Sequence, residues 1–228
     1  MHESRSVKVL GLTGSIGMGK STAARMLKRL RVPVHDSDAT VHRLLSRGGG
    51  AVQHIEREFP GSVRDGAVDR AALGAIVFRD TTALRRLEAI LHPLVQRSQR
   101  RFLACCAARR VPVAVLDIPL LYETGAERRV DAVIVVSAPP MIQRARVLAR
   151  PGMTPEKLAG ILSRQMPDRE KRRRADFVVA SSLGRAHTLR GLRRIVTLAR
   201  NMPGRHWPPR SFTPLRARPT HARNRPRH

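Results

Sequence analysis

The stretch Gly14-Ser15-Ile16-Gly17-Met18-Gly19-Lys20-Ser21 constrains this chain more than any other. It fits G-x-x-x-x-G-K-[ST] at every fixed position, follows an apolar run and opens a segment with helical spacing. Glycines let the backbone curl so that successive N–H groups point inward at an anion. The N-terminus of the following helix adds its positive dipole end to the same spot. Lys20 is then placed to reach β- and γ-phosphates, and the Ser21 hydroxyl to ligate Mg²⁺. A glycine-rich turn before an ordinary helix is the plainer alternative, but it does not account for both matching flanks. The motif predicts a bound nucleoside triphosphate.

A chain of 228 residues suffices for one domain with a real core, and for a small insertion. Short apolar runs at 7–12, 32–35, 111–117, 132–136 and 177–179 read as strands buried on both faces of a parallel sheet. Between the first two, Ala23, Leu27 and Leu30 fall on one face of a helix over 20–31, completing a βαβ unit. The predicted fold is α/β: a five-stranded parallel sheet flanked by helices, over residues 1–200. Residues 41–108 hold no convincing strand and form a helical insertion, broken at Gly48–Gly50 and at 60–66. One long helix from Thr82 past Ala104 is expected there, with a kink or break at Pro93. The arginine-rich stretch 139–174 is helical and is expected to act as a lid.

Lys plus Arg number 44 against 17 acidic residues, a formal charge of +27, which points to anionic partners. Residues 201–228 carry seven arginines, six prolines and no acid, and read as a disordered basic tail able to bind anions nonspecifically. Even without that tail the body keeps a charge of +20. Aromatics are only 3%, which argues against single-strand binding by base stacking. Cys105 and Cys106 are neighbours, no metal spacing occurs, and no run is long and apolar enough to span a bilayer. A cytoplasmic protein with no membrane partner is expected.

Several segments bear on what is done with the triphosphate. No NKxD or DxxG of a GTPase is present, which leaves a small kinase as the natural class. Asp36 and Asp38 follow the second strand, where one could take a proton from an acceptor hydroxyl while the other caps a helix. Asp117 closes the third strand at the position that supports Mg²⁺. Arg146 and Arg150 share a helix face and could meet phosphates. His92, alone, reads as a half-buried imidazole.

Taken together, GLTGSIGMGKST at 11–22, DSDATVHRLL at 36–45, LHPLV at 91–95, LDIPLLYETG at 116–125, RARVLARPGM at 144–153 and RQMPDREKRRRADFVV at 164–179 resemble the dephospho-CoA kinase family over about residues 7–200. The resemblance implies ATP- and Mg²⁺-dependent phosphorylation of the ribose 3′-hydroxyl of dephospho-CoA, the last step of coenzyme A biosynthesis. A monomer with no specific nucleic-acid partner is expected. By carry-over Asp38 is the general base, while Lys20 and Arg146 steady the migrating phosphoryl group. Gly14, Gly17, Met18, Gly19, Lys20, Ser21, Thr22 and Arg150 would hold ATP, with Ser21 and Asp117 on the metal. The insertion would bind CoA, with Asp36, His92, Pro119 and Leu120 near the acceptor. The chain departs from the family after its last strand: Val179-Ala180-Ser181-Ser182 lacks the usual Asp, and no adenine-side contact is carried over. Two other readings stay open on the residues alone. One is a kinase for another small acceptor such as a nucleoside monophosphate; the other is a basic nucleic-acid-binding protein with an incidental phosphate loop.

Overall fold

The structure is a computed structural model, and it describes residues 6–208. Five strands, β1 (Lys8–Thr13), β2 (Val34–Asp36), β5 (Val113–Asp117), β6 (Ala132–Ser137) and β7 (Phe177–Ala180), form one sheet in the order β2-β5-β1-β6-β7, parallel throughout. Every residue of β5 and β6 is buried, as the unbroken apolar runs require of strands covered on both faces. Alternate side chains feed two cores. Leu10, Leu12, Val115 and Ile134 pack against α1 (Lys20–Arg29) and α9 (Arg185–Arg200). Val9, Leu116, Val133 and Val135 pack on the other face against the end of α5 (Thr81–Ala108).

The segment 41–108 builds a third core of its own, from Leu45, Ile55, Phe59, Val68, Leu73 and Ala83. Its helices are α2 (Ser37–Leu45), α3 (Val52–Glu58), α4 (Arg70–Arg79) and α5. The expected absence of strands fails in one place, where β3 (Val63–Arg64) and β4 (Ala67–Val68) make a short antiparallel hairpin. Its turn is set by Asp65 and Gly66, both at positive φ. A two-residue ladder is too short to leave an alternation in the sequence.

Pro93 neither ends nor divides α5, which runs unbroken for 28 residues. Leu87, Leu91 and Leu94 anchor the first half in the third core, while Leu103 and Cys106 anchor the second half under the sheet. That packing outweighs the loss of one backbone hydrogen bond at proline. Residues 139–174 hold α6 (Pro140–Leu148), α7 (Pro155–Leu162) and α8 (Asp168–Arg174).

The basic tail does not begin at 201. Trp207 is 5% exposed and packs with Val7, Val9 and Leu103. The backbone N–H groups of Arg205 and His206 donate to Asp131, which also accepts from Val9 N. The remainder of the expected tail, 209–228, lies outside the described residues.

Candidate active site

The strand order puts the carboxyl ends of β2, β5 and β1 side by side. Asp36 and Asp117 are register partners across β2 and β5, and Leu12 of β1 pairs with Asp117. The glycine-rich loop therefore leaves the central strand beside two carboxylates from its neighbours, in the crevice where parallel sheets take ligands.

Glycine is needed in the loop for two separate reasons. Gly17 and Gly19 sit at φ 77° and 92°, a region hostile to side chains. At Gly14 a Cβ would come within 2.6 Å of the Val136 carbonyl oxygen. The loop is also held from outside. Ile16 N donates to Gln165 Oε1 at 3.1 Å, and Gln143 Nε2 donates to Ile16 O at 2.8 Å. The side chain of Met18 is buried, and its Sδ accepts from Ala138 N.

A cavity of about 590 Å³ opens over this loop, lined by Gly14, Gly17, Gly19, Lys20, Ser21 and Thr22, with Asp38, Arg146 and Arg150 on its walls. Lys20 Nζ lies 2.6 Å from Asp117 Oδ1, and both side chains are largely buried. Burial pushes the Asp117 carboxyl above its ordinary value; the Lys20 ammonium opposes this, and the charges of Asp36 and Asp38 add to the upward push. Arg146, in the last turn of α6, donates through Nη1 to Ser181 Oγ and through Nη2 to Ser181 O, each at 2.9 Å. The Ser181 hydroxyl in turn donates to Met18 O at 2.6 Å.

The two aspartates after β2 part company. Asp36 is the N-cap of α2, its Oδ1 accepting from Ala39 N at 2.9 Å, and it is not among the residues lining either neighbouring cavity. Asp38, two residues further on, is exposed and lines both the loop cavity and a second one. That second cavity, about 430 Å³, is largely apolar: Val41, Leu87, Leu91 and Val95 from the insertion face Pro119 and Leu120. His92 is exposed on its wall rather than half-buried. Pro119, like Asp38, lines both cavities, and its carbonyl accepts from Thr13 Oγ1 at 2.9 Å, pinning the ledge to the end of β1.

Sequence reasoning missed Gln143, Gln165 and Ser181, the three side chains that fix the loop and Arg146. Each lies more than a hundred residues from the loop it touches, and no local pattern marks it. The sequence RQMP did contain Gln165, but without a reason for it.

A family model described as dephospho-CoA kinase matches residues 8–186. Among curated relatives, the dephospho-CoA kinase of Paramagnetospirillum magneticum is 64% identical over 166 residues, 73% of this chain and 78% of that one. That of Rhodopseudomonas palustris strain HaA2 is 55% identical over 197 residues, 86% of this chain and 98% of that one. A solved structure from Thermus thermophilus superposes with a TM-score of 0.76 at 36% identity, covering 85% of this chain and 97% of that chain. The fold also matches a dephospho-CoA kinase from Campylobacter jejuni, with a TM-score of 0.57 at 22% identity over 84% of this chain and 97% of that one. With a matching phosphate loop and relatives aligned over most of their length, the chain belongs to the dephospho-CoA kinase family.

Proposed function

We propose that this kinase moves the terminal phosphoryl group of ATP to the ribose 3′-hydroxyl of dephospho-CoA, with Asp38 as the base. One observation carries the assignment: Asp38 stands on the wall shared by the phosphate-loop cavity and the apolar cavity of the insertion. A hydroxyl presented from the second cavity meets the carboxylate as it faces the donor phosphate. As the new O–P bond forms, Asp38 takes the hydroxyl proton; the bond from the γ-phosphorus to the β,γ-bridging oxygen breaks, and ADP leaves. Lys20 and Arg146 offset charge on the transferred group, and Arg150 adds a second guanidinium on the same wall. Thr22 lines the cavity beside Ser21, in the first turn of α1. Apolar walls from Leu87, Leu91 and Leu120 exclude water and suit an organic acceptor.

The donor set fits Mg²⁺. The Ser21 hydroxyl and the Asp38 and Asp117 carboxylates are hard oxygen ligands, and burial disfavours the charge of Asp117, which a bound cation would offset. Ser21 and Asp117 would hold the ion. Bound with the nucleotide, Mg²⁺ supplies charge neutralisation at the phosphate oxygens.

The test is ADP release from Mg-ATP with dephospho-CoA, and with AMP as control acceptor. Release dependent on dephospho-CoA, with CoA as product, is expected. Release with AMP alone would keep the kinase and replace the acceptor.

A further inference from the structure

Beyond the acceptor cavity lies a third, of about 220 Å³, formed where α5 meets the docked C-terminal segment. It is lined by Gln96, Gln99 and Arg100 of α5, by Arg129, and by His206 and Trp207, over a floor of Leu103 and Leu116. Gln96, Gln99 and Arg129 also line the acceptor cavity. The three cavities thus form a row. Asp38 and Pro119 join the first two, and Gln96, Gln99 and Arg129 join the last two.

Among the described residues, no acidic side chain lines the third cavity. Among the described residues neither Arg100 nor Arg129 has an ion pair, although both guanidiniums share this wall. They feel each other: burial first, and then the charge of Arg100, hold Arg129 below the usual arginine value. Two like charges at one half-enclosed site, with amide donors beside them, are what an anion would satisfy.

We propose that Arg100 and Arg129, with Gln96, Gln99 and His206, form the subsite for the diphosphate group of the acceptor. This rests on the reading in which dephospho-CoA is that acceptor. Its ribose hydroxyl faces Asp38 where the first two cavities meet, and its diphosphate lies toward Arg129, where the last two meet. The C-terminal segment 201–208 then has a function: through His206 and Trp207 it closes the wall of a substrate site.

Calorimetric titration with the phosphate loop filled by ADP isolates this site from the donor site. In the double variant Arg100→Gln, Arg129→Gln, dephospho-CoA should bind at least about tenfold more weakly, the loss of two charge-assisted contacts. Adenosine, which lacks the diphosphate, should bind wild type and variant alike. The double Lys variant, which keeps the charge, should fall between. A shift in thermal midpoint shows whether the variants fold, and removal of two repelling charges should not lower it. Unchanged affinity for dephospho-CoA, or an equal loss for adenosine, overturns the subsite while leaving the kinase reading intact. If wild type binds no dephospho-CoA, that reading falls, and inorganic diphosphate tests the cavity by itself. Binding lost in the double Gln variant upholds an anion site; equal or absent binding overturns it.

Discussion

Lys20 and Asp117 set the electrostatics of the phosphate cavity, and each leaves the other exposed to a cost when removed. Lys20→Ala should lower turnover by at least about a hundredfold, because a preorganised cation aimed at developing charge is lost. The same change strands Asp117, whose carboxyl is already held above its ordinary value by burial. Its folded-state value then rises further, so the neutral form favours folding and the ionised form opposes it. The destabilisation by Lys20→Ala should therefore be smaller at pH 5 than at pH 8, read as the difference in thermal midpoint from wild type. His35 works in the opposite sense. It is buried against Phe102, and its Nε2 lies 3.0 Å from Ser98 Oγ and 3.3 Å from Thr40 Oγ1. Burial, then the nearby Arg43 charge, lowers its value from 6.5, and Asp36 only partly offsets this. Below that ordinary value the unfolded chain takes up a proton that the folded chain refuses. Stability should thus fall as pH drops below about 6.5, and His35→Gln should flatten that slope in denaturant titrations at stepped pH.

Among the elements, α8 is fastened by an unusual contact. Lys171 is wholly buried, with its ammonium 2.9 Å from Glu123 Oε1, an ionic contact without hydrogen-bond alignment. Glu123 also accepts from Met166 N, next to the Gln165 that holds Ile16 in the phosphate loop. The loop after β5 thereby ties the approach to α8 against the nucleotide side. Lys171→Met should destabilise by about 3 kcal/mol in chemical denaturation, since one charge of the pair is left behind, and the double change with Glu123→Leu should cost less. None of this was legible beforehand. Lys171 opens the cationic run Lys171–Arg174 of the expected lid, and only the fold shows that one of its four cations turns inward. The five strands and the phosphate loop were legible because their signals are local: continuous apolar runs, and glycines at fixed offsets. Asp36 and Asp38 were legible as a pair but not as individuals, because capping or facing a cavity depends on where α2 points.

On the scale of the whole molecule, the carboxyl end of the sheet carries the phosphate-loop cavity, and the insertion walls the apolar cavity beside it. The C-terminal segment was misread because its composition is that of a tail, whereas Trp207 is a core residue. Truncation after Arg200 removes Trp207 and should lower stability by about 3 kcal/mol or more, as loss of a buried tryptophan does. What unites these parts is the meeting of two cavities at one carboxylate. The measurement that bears on it most directly is the single-turnover rate of Asp38→Asn with saturating Mg-ATP and dephospho-CoA. The expected result is a rate lower by about a hundred- to ten-thousandfold, with ATP affinity unchanged. A near-normal rate would contradict it, and would leave Asp38 as no more than a residue of the first turn of α2.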